Sequence, residues 1–168
     1  TVFLEGYHLA LQFGVVRDLE RELDEVELDL RGFAYEGAAM GLALLDRLLP
    51  GSGRIRSFLH GAGDPHAYMV HVGAGWVWAR IPIGWRRRQR KLDPVLGWLV
   101  LDGWGFYEGF FHWPRYVAGQ PAPKRFRGYE RRAFDQGLGR SFWFVNGGNA
   151  ALIAEVIDAA PGVRCFRD

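Results

Sequence analysis

The sequence predicts an all-α fold, an array of glycine-centred helical hairpins resembling an α-solenoid. A short motif with glycine at its centre recurs along the chain, and the 168 residues show no convincing strand alternation. The five central glycines are separated by 31, 36, 30 and 34 residues, a spacing typical of helical repeats. Glycine costs about 1 kcal/mol relative to alanine inside a helix, so its repeated use there indicates close packing of helices. These central glycines are Gly6, Gly37, Gly73, Gly103 and Gly137.

The first three helices are predicted from apolar spacing and from the residues that end them. Phe3–Gln12 is apolar and is followed by Gly14. Val16–Val26 places apolar residues at intervals of three and four, with charges opposite, which indicates an amphipathic surface helix. Phe33–Leu49 has glycine and alanine on its contact face and ends at Pro50. We therefore expect this third helix to be the buried centre of the fold.

The middle of the chain holds a short helix, a long helix and a basic segment. Ile55–His60 is short and is followed by glycine and proline breakers. His66–Ile81 is predicted helical from its length, although its β-branched and aromatic residues resemble those of a strand. The cationic run Arg86–Lys91 is predicted to occupy a loop. Asp93 and the proline after it form a helix start, and they introduce the strongly aromatic helix Pro94–His112, closed by Trp-Pro.

The last part contains a linker and two helices. Gln120–Arg127 combines two prolines with basic residues and is the most linker-like segment. Tyr129–Val145 is predicted to be helical, and Asn149 is expected to cap a final helix, Ala150–Ala160. The sequence thus predicts six or seven helices in a single domain, residues 1–168.

Charge and cysteine content exclude several classes of protein. The net charge of +2 gives no overall nucleic-acid footprint. The single cysteine, Cys165, excludes an internal disulfide framework and is typical of a reducing compartment. No apolar run is long enough to span a membrane. We expect a cytoplasmic protein that binds no nucleic acid and has no transmembrane segment.

No pattern of metal ligands or nucleophiles stands out. The five histidines form neither an HExxH motif nor a zinc-type cluster with cysteine. One Glu-x-x-His spacing occurs, at Glu5 and His8, whereas carboxylate di-iron bundles require two such motifs and two more glutamates. No serine lies in a GxSxG elbow. The sequence therefore predicts neither a metal nor a cofactor.

Polar residues beside the central glycines are the candidate site. If corresponding helices stack in parallel, these side chains line one side of the array, where burial would raise carboxylate pKa values and suit them for proton transfer. The alternative is that they bond to neighbouring helices. The acid–base candidates are Glu36, His71, Asp102 and Asp135. The candidate ligand-binding residues are Tyr35, Trp76, Trp104, Tyr107, Glu108, His112 and Gln136.

Two further segments allow two interpretations each. The aromatic helix Pro94–His112 is either plain core or the wall of an apolar groove. The basic run Arg86–Lys91 is either a solvated segment or a contact for an acidic partner or anionic headgroups.

Four long segments resemble the DUF1702 family, and together with their surroundings the resemblance covers nearly the whole chain. They read RGFAYEGAAMGLALLD, YMVHVGAGW, DPVLGWLVLDGWGFYEGFFHW and AFDQGLGRSFWFV. The family is a bacterial domain of unknown function associated with gene clusters for enediyne polyketide biosynthesis. Its members look longer, so the resemblance implies an N-terminal portion or a shortened member. It supplies no assigned catalytic residue.

The resemblance implies an accessory protein of enediyne-type polyketide biosynthesis that binds, and could process, a hydrophobic polyene intermediate. The polyketide synthase or another pathway protein would be its partner. The alternatives are a non-catalytic helical-repeat scaffold for protein interactions and a peripheral membrane-associated protein.

Overall fold

A computed structural model describes residues 1–13, 16–49 and 53–159, excluding the side chains of residues 16 and 17. Within these ranges the chain is helical and contains no strand, so the all-α prediction is confirmed. The chain divides into two compact units, residues 1–100 and 101–168. The helices are α1 (Val2–Phe13), α2 (Val16–Asp24), α3 (Leu28–Leu48), α4 (Arg54–Leu59), α5 (Ala67–Arg80), α6 (Trp85–Gln89), α7 (Leu99–Val117), α8 (Tyr129–Val145) and α9 (Ala150–Ala159).

In the first unit, α1 and α3 are held together by a reciprocal pair of glycines. A Cβ placed on Gly6 would lie 2.8 Å from the carbonyl carbon of Ala34 on α3. A Cβ placed on Gly37 would lie equally close to the carbonyl carbon of Phe3 on α1. Each helix therefore places its glycine against the other's backbone. We call this arrangement the glycine lock.

The contacts of the next helical turn show that α1 and α3 run in the same direction. Gly41 follows Gly37 by one turn, and its Cβ position lies 2.8 Å from the Cβ of Ala10, which itself follows Gly6 by one turn. Small residues four apart thus meet on both helices, the spacing that lets two helix backbones approach closely.

Helix α5 packs along another side of α3, again in parallel. A Cβ on Gly73 would lie 2.9 Å from the carbonyl carbon of Glu36, and Gly32, one turn earlier on α3, faces Met69, one turn earlier on α5. The central position predicted for the third helix is therefore confirmed. Its buried face packs with side chains from the shorter helices, including Leu19, Leu23 and Phe58, each fully buried.

The second unit has the same lock between α7 and α8. A Cβ on Gly105 would lie 2.8 Å from the carbonyl carbon of Phe134, and one on Gly137 would lie 2.5 Å from that of Asp102. The α7 glycine that lies against the α8 backbone in this lock is thus Gly105, two residues after the one chosen from the sequence.

Helix α7 extends beyond its predicted end. The Trp-Pro pair was expected to close it, but the helix continues through Pro114 to Val117. Proline lacks the N–H that would bond to the carbonyl four residues earlier, and the helix responds with non-helical backbone angles at His112 (φ −129°, ψ 21°). The break is therefore a kink rather than an end.

The Asn149 cap was predicted correctly, since its side chain accepts the backbone N–H groups of Ala151 and Leu152 at the start of α9. The Asp93 carboxylate accepts the N–H groups of Val95 and Leu96, but α7 begins only at Leu99, so Asp93 caps the turn before the helix and the predicted helix start at Pro94 was wrong. The basic run was expected to be a loop, but most of it is helix α6. Its helical form depends on Trp85 and Gln89, which lie four residues apart on one face and are both buried.

Candidate functional site

The predicted site residues belong to the two units separately. Tyr35, Glu36, His71 and Trp76 lie in the first unit, on α3 and α5. The other seven lie in the second, on α7 and α8.

Glu36 and Trp76 form a buried link between α3 and α5. The indole Nε1–H of Trp76 donates to Oε1 of Glu36 at 3.1 Å, and both residues are at least nine-tenths buried. The ring of Trp76 also packs on Phe3 of α1, with ring centroids 4.9 Å apart. The Glu36 carboxylate is therefore part of the packing of three helices.

His71 is the most deeply buried histidine among the described residues, at 2% exposed. Its Nδ1 donates to the backbone carbonyl of Ala67 at 2.6 Å, which assigns the proton to Nδ1 because a carbonyl only accepts. Its Nε2 is buried and has no hydrogen-bond partner among the described residues. Burial lowers the pKa of His71, so the neutral ring is favoured.

Tyr35 joins the first helices of the unit. Its hydroxyl donates to Asp24 at the end of α2 at 3.0 Å, and its ring packs against Phe58 and His66. Burial, together with the hydrogen bond to Asp24, raises the pKa of the Tyr35 hydroxyl. The phenol therefore keeps its proton and acts as a hydrogen-bond donor within the fold.

Asp102 forms an ion pair across the second lock. Its carboxylate is 1% exposed and receives two hydrogen bonds from Arg140 on α8, at 2.5 and 3.3 Å. Burial raises the pKa of Asp102, while the bonds from Arg140 and Gln136 act in the opposite direction. Arg140 also lies over the ring of Phe106, 5.0 Å from its centroid. The pair fixes the register of the two helices one turn beyond Gly137.

Asp135 and Trp104 lie in separate settings on the same pair of helices. Asp135 is half-buried beside Arg131, with 3.6 Å between the charged atoms, and burial raises its pKa. Trp104 is buried, and its ring lies edge-to-face with the ring of Phe126. The guanidinium of the neighbouring Arg125 lies over the indole ring, 5.7 Å from its centroid.

The remaining three candidates meet near the kink of α7. Glu108 accepts a hydrogen bond from Tyr116 at 3.3 Å, and His112 Nδ1 lies 3.6 Å from the same carboxylate oxygen. The ring of Tyr107 contacts Phe111 and the His112 ring. Across the described residues no group of three or more potential ligands is placed to hold a metal ion. Glu108 is therefore bonded to Tyr116, whereas the buried Nδ1 of His112 has no hydrogen-bond partner among the described residues.

A cleft in the first unit lies apart from every predicted site residue. It has a volume of about 390 Å³ and opens to solvent. Its apolar wall is formed where the later parts of α3 and α5 face α4 and the segment after α6. The wall consists of Ala43, Ile55, Ala74, Trp78 and Leu92.

The opposite side of the cleft is basic. Helix α6 buries Trp85 and Gln89, which directs Arg87 and Arg88 towards the cleft, and Lys91 follows one turn after Arg87. Arg56 of α4 completes the set. Sequence analysis singled out the cationic run, but it could not show that Arg87, Arg88 and Lys91 line the same cleft as the apolar wall.

The acid in the cleft does not neutralise these cations. Asp46 accepts the backbone N–H groups of Arg54 and Ile55 at 2.9 and 3.1 Å, and its carboxylate lies 3.5 Å from the Arg54 guanidinium. In the part of the chain that the structure describes, none of the four lining cations forms an ion pair. Arg88 also contributes, after burial, to lowering the pKa of the neighbouring Arg47. The cleft therefore carries an uncompensated positive charge.

Comparison with known proteins gives one match. A family model described as "Protein of unknown function (DUF1702)" matches residues 1–165. No curated protein and no solved structure matches the chain. Among the described residues, no helix is long and apolar enough to cross a membrane.

Proposed function

We propose a function for this chain, which belongs to the DUF1702 family. It is an accessory protein of enediyne-type polyketide biosynthesis that binds a pathway intermediate with a hydrophobic body. The observation that carries the proposal is the cleft of about 390 Å³ with Trp78 and Leu92 in its wall. Ligand sites in proteins are concave, largely apolar and about 300–1,000 Å³ in volume.

Binding is favoured over catalysis by the partners of the candidate acids. The Glu36 carboxylate accepts from Trp76, and the Asp102 carboxylate is bonded to Arg140. A general acid or base needs a substrate proton within hydrogen-bond reach, and neither residue lines the cleft. His71 retains a buried nitrogen without a partner in the described chain, so it is the acid–base candidate to test first.

Native mass spectrometry tests the proposal. The chain is purified from a host that expresses an enediyne-type polyketide synthase, and the expected result is an added mass of a polyene. Leu92→Asp places a charge on the apolar wall and should remove that mass. Leu152→Asp, at an exposed position of α9, is the matched control and should retain it. A wild-type spectrum with no bound mass, in the presence of active synthase, contradicts the proposal.

A second candidate is an interaction scaffold built on a helical repeat. Its support is that the glycine lock occurs in both units and that aromatic side chains of α7 and α8 are exposed, with Phe111 54% and Trp143 52% exposed. A scaffold should bind purified synthase with no ligand added. Phe111→Ser and Trp143→Ser should weaken this binding, while Tyr129→Ser, another exposed aromatic position, should not.

A further inference from the structure

We propose that the basic side of the cleft binds a phosphate ester, so that the ligand is an amphiphile with a phosphate group at the basic side and an apolar chain along the Trp78 wall. The inference deepens the proposed function and rests on the same cleft, but it does not depend on the ligand being an enediyne intermediate.

The first argument is the arrangement of charge. Arg87, Arg88 and Lys91 come from one short helix and its end, and Arg56 faces them from α4. Four like charges around one cleft repel one another unless an anion lies between them. Because Asp46 is already bonded to the start of α4 and to Arg54, the chain supplies no free carboxylate for this purpose within the described residues.

The second argument is the type of anion. A carboxylate carries one charge and two oxygens, whereas a phosphate monoester carries nearly two charges and three acceptor oxygens. Arginine guanidinium groups bind phosphate with paired N–H donors, and a lysine adds a point charge. Three arginines and a lysine therefore match a phosphate better than a carboxylate.

The third argument is that the cleft is two-sided. Trp78 is buried in the core of the first unit and cannot move away from the cations, which α6 holds through buried Trp85 and Gln89. A free inorganic anion would use only the basic side. A ligand that uses both sides must place an apolar chain next to its charged group.

Isothermal titration calorimetry with three octyl probes tests the inference. Octyl phosphate, octanoate and 1-octanol share one apolar chain and differ only in the head group, and inorganic phosphate lacks the chain. We expect octyl phosphate to bind one site, at least tenfold more tightly than octanol and inorganic phosphate and measurably more tightly than octanoate. Raising the salt concentration from 50 to 300 mM should weaken it.

Two variants locate the site. The double substitution Arg87→Gln and Arg88→Gln should weaken octyl phosphate at least tenfold and leave octanol unchanged. Arg132→Gln, an exposed arginine of α8, is the control and should change neither. Because Arg87 is exposed and Arg88 half-buried on the surface of α6, the double variant should fold, which circular dichroism checks.

Several results would overturn the inference, each in a different way. Equal binding of octyl phosphate and octanol removes the role of the cations, and equal binding of octanoate removes the choice of phosphate. Equal binding of inorganic phosphate indicates an adventitious ion only. Binding to phosphatidylglycerol vesicles without binding of monomeric octyl phosphate assigns the basic face to a membrane surface.

The inference and the proposed function can fail separately. If octyl phosphate binds but no polyene is found by mass spectrometry, the inference holds and the proposed function fails.

Discussion

Replacing Gly37 by alanine should separate α1 from α3 and destabilise the first unit. The added Cβ would lie 2.8 Å from the carbonyl carbon of Phe3, closer still to its oxygen, and 3.1 Å from the backbone nitrogen of Tyr7. Real Cβ contacts essentially never fall below 3.0 Å. Both obstacles are backbone atoms of a helix, so no side-chain rotation relieves the overlap, and the helices must move apart.

The size of the effect follows from two opposing contributions. Overpacking a well-packed core costs about 1–3 kcal/mol, and the upper end applies here because rigid backbone is displaced. Alanine regains about 1 kcal/mol of helix propensity. Separation of the helices also reduces the contacts of the next turn, where Gly41 meets Ala10. We expect a net loss of about 2–4 kcal/mol in the free energy of unfolding.

Gly32→Ala on the same helix is the matched control. A Cβ at Gly32 would meet only the Cγ of Met69, at an ordinary 3.6 Å, so this variant should gain about 0.5–1 kcal/mol from propensity alone. Urea denaturation followed by far-ultraviolet circular dichroism measures both variants. If Gly37→Ala is as stable as the wild type, or if the two variants shift in the same direction, the close approach of α1 and α3 is wrong.

Substitutions at three further sites test the buried polar groups. Asp102→Asn should lower the free energy of unfolding by about 2–4 kcal/mol, which is less than for a fully buried pair because Arg140 is partly exposed. Replacing both residues by leucine should recover most of this loss, as measured by urea denaturation. An unchanged midpoint for Asp102→Asn would refute the ion pair. Glu36→Leu should cost about 1–3 kcal/mol because the Trp76 N–H loses its acceptor, whereas Glu36→Gln should cost under about 1 kcal/mol; equal losses would argue against this hydrogen bond. The pKa of His71 is lowered in the folded state, so on acidification the unfolded chain takes up the proton first. The contribution of His71 to the free energy of unfolding should therefore be fully present above about pH 6.5 and should decrease as the pH falls towards the folded pKa. His71→Gln should reduce this pH dependence, and an unchanged dependence would show that another group causes it.

The helices were largely predictable because their signals are local. Tyr129–Val145 has the bounds that the sequence predicted, and Asn149 caps α9 as its side chain indicated. The main errors arose where tertiary packing overrides a local signal. Pro114 is tolerated inside α7 as a kink, and the basic run is helical because Trp85 and Gln89 anchor it.

The register of the locks was harder to predict than their existence. Helix α7 offers three glycines within about two turns, and the sequence pattern favoured Gly103 because Asp102-Gly103 matches Glu36-Gly37. The glycine that lies against the α8 backbone in the lock is Gly105, which is 32 residues from both Gly73 and Gly137. Regular spacing was therefore a better guide than the neighbouring residue.

The predicted site residues illustrate the limit of reasoning from a shared position beside a glycine. Glu36, Asp102 and Tyr35 do lie next to closely packed helices, but there their polar atoms bond to Trp76, Arg140 and Asp24. Close packing leaves a polar side chain little choice, because a buried group without a partner is costly. The same feature that drew attention to these residues thus supplies them with protein partners. The acid–base roles of Glu36 and Asp102 and the ligand-binding role of Tyr35 stay predictions.

The glycine locks also decide where a ligand can enter. A methyl group does not fit at Gly37 or Gly137, so α1 and α3, and likewise α7 and α8, leave no room for a polyene between them at these points. Space exists in the first unit beyond the lock, where Ala43 and Ala74 are followed by Trp78 and the facing segment comes from α6. At the locks, small residues bring two helix backbones together. Ala43 and Ala74 instead line a cleft, because the element opposite them is the short basic helix α6 and not another helix with glycine on its contact face. The proposed ligand site therefore lies where the pattern of glycines ends, and the residues that would determine its specificity belong to the connection between long helices.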